Sequence, residues 1–217
     1  MLKLLRKEMK LSASILSYLF IGFALLALFP GYPILVGAFF VCLGLFQSFQ
    51  SMREANDILY SALLPVSKAD VVRSKYVFCI FIELCAVLLG GMVVAVRMTV
   101  LSDLAAYRAN ALMNANPVVL GFSLLIYGCF NAVFVCGFFK TADAFAKPFV
   151  KFIITAFLVI GVGETLHHIP GLEALNAFGF EHFGLQISIF VAGAVVYILL
   201  AYLSMRRAIT HFEKIDL

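Results

Sequence analysis

"VFCIFIELCAVLLGGMVVAV", residues 77–96, holds a single charged side chain, Glu83. Twenty apolar residues wound at about 1.5 Å per residue reach about 30 Å, the thickness of a bilayer's hydrocarbon core. The stretch therefore reads as a membrane span. Five more blocks of similar length accompany it: Ser12–Phe29, Ile34–Ser51, Val118–Phe139, Phe149–Leu166 and Leu185–Met205. Pro30, Gly31 and Pro33 break the chain between the first two, so those helices form a tight hairpin. Of the 217 residues 64% are hydrophobic and 13% charged, against about a quarter charged in a soluble domain. The expected fold is all-α: a polytopic membrane protein of six transmembrane helices. It forms a single transmembrane domain over 1–217, with no room for a separate soluble domain.

Lysine and arginine placement sets the orientation. Six spans put both termini on one side, and that side collects fourteen of the sixteen basic residues. They are Lys3, Arg6, Lys7, Lys10, Arg53, Lys68, Arg73, Lys75, Lys140, Lys147, Lys151, Arg206, Arg207 and Lys214, which leaves Arg97 and Arg108 opposite. Both termini are therefore expected in the cytoplasm. The net charge of +4 is a topology signal and calls for no nucleic acid. The basic start, residues 1–11, reads as an interfacial amphipathic helix: Leu2, Leu5 and Met9 form its apolar stripe. No small-residue cleavage site follows Phe29, so a removable signal peptide is not expected. The five cysteines, Cys42, Cys79, Cys85, Cys129 and Cys136, fall within spans without a C-x-x-C pair and read as packing residues.

The connection 52–76 stands apart from the other loops. Ile58, Leu59, Ala62 and Leu63 recur at helical spacing after Glu54 and Asp57, acids that suit a helix N-terminus. Leu64 precedes Pro65 and is biased away from helix, so the first helix should stop there. Ser67 then fits an N-cap, with Asp70 three residues on, for a helix running into the third span. Two readings stand at this point: an interfacial helix packed on lipid, or a docking element.

The run Leu63-Leu64-Pro65-Val66-Ser67-Lys68, followed by Val71-Val72 and Ser74-Lys75-Tyr76, resembles a motif of small ABC transporter permeases of the type-2 exporter family. Glu54 and Asp57 match that family's acidic lead-in, and the basic start, six spans and length agree over essentially the whole chain. The resemblance implies that 52–76 is a coupling segment whose residues Glu54, Asp57, Ile58, Leu59, Leu63, Leu64, Pro65, Val66, Ser67 and Lys68 dock a separate ATP-binding subunit. It also implies a second permease copy or a paralogue, and a bacterial plasma membrane. No G-x-x-x-x-G-K-[ST] occurs, so this chain is expected to bind no cofactor, with ATP and magnesium held by the partner. An ATP-driven exporter of a hydrophobic or amphipathic molecule (a peptide, an antimicrobial or something lipid-like) is the function implied, and the many phenylalanines suit such a cargo.

A charge at mid-membrane costs roughly 2.5–3.5 kcal/mol on insertion scales. Glu83 therefore needs a partner, and Lys75, Lys147 or Lys151 are candidates. Asn131 calls for an interhelical hydrogen bond, and Gln47 and Gln50 make the end of the second span polar. Gly90-Gly91 and the pair Gly161 and Gly163 would allow close helix approach. The last external segment, 164–184, carries Glu164, His167, His168, Glu173, Glu181 and His182 and is expected to be helical in part. Glu164-x-x-His167 has metal-ligand spacing, but no second such motif accompanies it, and H-E-x-x-H is missing; no metal is expected. Two other classes remain open at this stage: a membrane-embedded enzyme using Glu164, His167 and His168, or a non-catalytic scaffold or immunity protein.

Overall fold

The computed structural model describes residues 6–57, 60–61, 66–141 and 145–215, with the side chains of Leu11 and Ser12 undescribed. Among the described residues five helices are long and apolar enough to cross a membrane: α2 (Leu35–Glu54), α3 (Lys68–Thr99), α4 (Pro117–Thr141), α5 (Ala146–His168) and α6 (Phe183–Glu213). A shorter apolar helix, α1 (Ile15–Leu28), precedes them. No strand occurs among the described residues, and the chain is an all-α, multi-pass membrane protein.

The winding of α1 explains how it serves as an arm of the hairpin. Ser14 caps it by accepting from the Leu16 N–H at 3.3 Å. After one α-helical stretch, Ile15–Leu19, it tightens into a 3-10 helix over Phe20–Leu28. A 3-10 helix rises about 2.0 Å per residue against about 1.5 Å for an α-helix, so α1 spans about 25 Å. Gly31, with φ +80°, turns the chain back as only glycine does without strain. α2 then runs hard against α1. A Cβ at Gly44 would lie 2.7 Å from the Phe20 Cβ, and one at Gly37 2.6 Å from the Phe23 carbonyl oxygen. The Ser17 hydroxyl donates to the Gly44 carbonyl at 2.7 Å and lies 2.5 Å from Ser48 Oγ.

α3 begins as expected, with Ser67 Oγ accepting from the Asp70 N–H at 3.1 Å. Its 32 residues reach about 48 Å, so it outruns a hydrocarbon core of about 30 Å. α4 starts at an Asn116 cap with Pro117 in its first turn, and widens into a π-helical turn at Phe130–Val135. It lies at the centre of the bundle, crossing α6 where a Cβ on Gly193 would meet the Gly121 carbonyl oxygen at 2.5 Å. The small residues expected to mediate close approach are thus mostly different ones. Gly161 faces open space, Gly90 and Gly91 make ordinary contact with Leu120, and Gly163 alone is crowded, by Leu35 and Phe122.

The phenylalanines form the inner packing. Phe46 stacks on Phe149 with ring centroids 3.6 Å apart; Phe49 meets Phe134 at 5.1 Å and Phe130 meets Phe152 at 5.1 Å. These rings tie α2, α4 and α5 together. The outward faces of α3, α5 and α6 carry exposed apolar residues such as Leu88, Leu158 and Ile198, as lipid contact requires. Across 164–184 the chain is α-helical only up to Thr165 and again from Phe183, where α6 begins; between them lie two brief 3-10 turns, Leu166–His168 and Glu173–Asn176.

Candidate functional site

α2 ends at Ala55, and Asn56 takes a left-handed φ of 51°, a conformation asparagine tolerates better than most residues. That reversal swings Asp57 inward. Lys7 Nζ lies 2.5 Å from Asp57 Oδ1 and donates to Ser61 Oγ at 2.7 Å. Lys75 Nζ lies 3.3 Å from Asp57 Oδ2 and also pairs directly with Glu8. Lys75 occupies the buried stripe of α3 with Val71, Val72, Tyr76 and Cys79, so its charge must be met inside the protein. Burial pushes the Asp57 carboxyl up, but the charges of Lys75 and Lys7 and their hydrogen bonds outweigh it and hold it below the usual carboxylate value. These four charges clamp the N-terminal segment, the 52–76 connection and the base of α3 together.

The expected docking residues divide accordingly. Glu54 and Ser67 are exposed, Val66 is half-buried against the core, and Lys68 donates to the Ile215 carbonyl at 2.5 Å. Asp57 is a member of the internal clamp. Ile58, Leu59, Leu63, Leu64 and Pro65 lie outside the described residues. Gln47 and Gln50 are half-buried at the same end of α2.

About 12 Å farther along α3, eight residues past Lys75, the fully buried Glu83 meets α4 and α6. Asn131 Nδ2 donates to both carboxyl oxygens, at 3.0 and 2.9 Å, and Tyr197 Oη donates to one at 2.6 Å. Tyr76 Oη in turn donates to the Asn131 carbonyl at 3.1 Å, which sits where the π-helical turn widens the backbone. The lysines proposed for Glu83 are elsewhere: Lys75 is in the clamp, and Lys147 and Lys151 are exposed. Neutral donors answer the carboxyl group. Tyr197 was not anticipated, since a tyrosine within a span gives no sequence signal for its partner. Lys75 had one, being a lysine on an apolar helical stripe.

At the opposite face the polar residues hold backbone. Glu164, at the end of α5, accepts from the Leu35 N–H at 3.4 Å and the Met113 N–H at 3.1 Å, capping α2, whose own N-cap residue Ile34 offers no side-chain bond. His167 Nε2 lies 3.2 Å from the Ala111 carbonyl, and His168 packs on the His167 ring. Arg97 donates to the Ala27 carbonyl and to Asn114 Oδ1, each at 2.8 Å, beneath the Tyr107 ring. Glu164 and His167 thus brace the loops at this face. Among the described residues no three His, Cys, Asp or Glu side chains gather as a metal site would need.

The family model described as ABC-2 family transporter protein matches residues 3–213. No curated protein and no solved structure matches the chain. With six apolar helices, a charged clamp at one face and a family match over nearly its full length, the chain belongs to the ABC-2 transporter family, as a membrane-embedded permease subunit.

Proposed function

We propose that this permease forms part of the export pathway for a hydrophobic or amphipathic molecule and is driven by a separate ATP-binding subunit docked on the 52–76 connection. ATP and magnesium are held by that partner, and a second permease copy or a paralogue completes the pathway. The observation that carries the reading is the clamp: Lys7, Glu8, Asp57 and Lys75 join that connection to the base of α3 through buried ion pairs. A push that reaches Asp57 is therefore passed directly to α3 through Lys75. α3 continues unbroken from Lys68 to Thr99 and meets Glu83, Asn131 and Tyr197 in mid-bundle. Movement entering at the basic face, read as cytoplasmic, is thereby passed to α4 and α6.

Affinity purification of the tagged full-length chain tests the docking. An ATP-hydrolysing subunit should co-purify, and replacing Leu63–Val66 by a Gly-Ser stretch should release it while membrane insertion persists. Retention of the subunit after that replacement would overturn the docking assignment. Transport by the purified chain with no nucleotide-dependent partner would overturn the reading altogether.

A further inference from the structure

Between α3, α4 and α6 the outer surface is cut by a groove of about 490 Å³, within the range of about 300–1,000 Å³ common for ligand sites. Its walls include Ile80 and Leu84 of α3, Leu124 of α4, and Ala194, Ile198 and Tyr202 of α6. Every one of these is apolar except for the Tyr202 hydroxyl. The groove opens toward lipid, because Leu84, Ile198 and Tyr202 are each about half exposed, at 45%, 62% and 54%.

Two arginines flank its basic end. Arg73 precedes Ile80 by seven residues, two turns along the same face of α3, and Arg206 follows Tyr202 by one turn of α6. The bond from Lys68 to the Ile215 carbonyl holds the basic ends of the two helices side by side. Both arginines are exposed. Asp70 engages one nitrogen of Arg73, at 3.1 Å, and a guanidinium carries five N–H donors.

We propose that this groove binds one anionic phospholipid from the leaflet on the basic side, with an acyl chain along the groove and the phosphate between Arg73 and Arg206. The charge pattern selects this occupant. A protein surface laid over the groove would have to accommodate both guanidinium groups at its rim, and a net-neutral lipid would give them no net anion. A phosphodiester matches a guanidinium fork in charge and shape. Tyr202, amphipathic and one turn from Arg206, sits where tyrosines concentrate at the headgroup boundary. The site requires only that the chain spans a bilayer, and it stands apart from the transport reading.

The chain contains no tryptophan, so one introduced tryptophan is a clean reporter. Ile198→Trp places it in the groove, and Leu158→Trp on the exposed face of α5. Each full-length variant is reconstituted in vesicles with rising fractions of brominated phosphatidylglycerol or brominated phosphatidylcholine. At Ile198→Trp the anionic lipid should quench at a several-fold lower mole fraction than the neutral one, and at Leu158→Trp the two should be equal. Adding Arg73→Gln and Arg206→Gln should abolish the preference while leaving quenching by the neutral lipid intact, which also confirms insertion. Equal quenching at Ile198→Trp, or a preference that survives the arginine substitutions, would overturn the proposal. Protection from both lipids would overturn it in favour of a protein, such as a second copy, covering the groove.

Discussion

Lys75 sits on the core-facing stripe of α3, and carboxylates from two other segments meet its charge. Removing one member of a buried ion pair typically costs about 3–5 kcal/mol, because its partner is left charged and unmatched. Lys75→Met should therefore destabilise the protein by about 3 kcal/mol in detergent unfolding, and adding Glu8→Gln should recover part of the loss. Additive effects would mean that the pair is uncoupled. Asp57 adds a pH dependence. Its folded-state pKa lies below the ordinary value of 3.8, so the unfolded chain binds protons more readily in acid. The stabilisation is complete above that ordinary value and is lost as pH falls through the folded-state value. Asp57→Asn should flatten the acid limb of the unfolding profile, and an unaltered limb would remove Asp57 as its source. Glu83→Gln weakens hydrogen bonds to a carboxylate, worth about 1.5–3 kcal/mol each when charged. Assembly or transport should suffer more from it than from Glu173→Gln, whose carboxylate accepts from an exposed Gly171 N–H at 2.9 Å.

At the level of helices, the α4–α6 crossing depends on missing side chains. Gly193→Val would drive a branched side chain into the Gly121 backbone and should lower the unfolding temperature sharply, by at least the 1–3 kcal/mol or so of ordinary overpacking. Gly161→Val faces open space and should leave it unchanged; the reverse ranking would mean the helices cross elsewhere. These examples show what the sequence made legible. Apolar length alone locates α2 to α6, since a helix that crosses the hydrocarbon core needs about twenty apolar residues, and the Ser67 cap is a local signal that the structure repeats residue by residue. The faces that meet are set by neighbours, so Gly37, Gly44, Gly121 and Gly193 carried no mark distinguishing them from Gly161. The inward turn of Asp57 depends on Lys7, fifty residues earlier, and could not be seen in the loop's own pattern. Asn131 was correctly read as needing an interhelical partner, yet the π-helical turn that aims it has no signature in the residues Phe130–Val135.

For the whole molecule, the placement of basic residues is the governing asymmetry. A protease site appended after Leu217 should be cut only from the side bearing those residues, read as the cytoplasm; cleavage from the other side would invert the arrangement. Polar residues at the two faces hold different things. At the basic face charges bind charges across segments, while at the other Arg97, Glu164 and His167 bind main-chain groups and make the loops one braced cap. The bundle is thus braced through main-chain groups at one end and through ion pairs at the other. The tight winding of Phe20–Leu28 gives one more property to this body. Rewinding those nine residues to an ordinary α-helix would shorten the strut by about 0.5 Å per residue, or about 4–5 Å in all. The first arm of the hairpin thus reaches as far as an ordinary α-helix about three residues longer would.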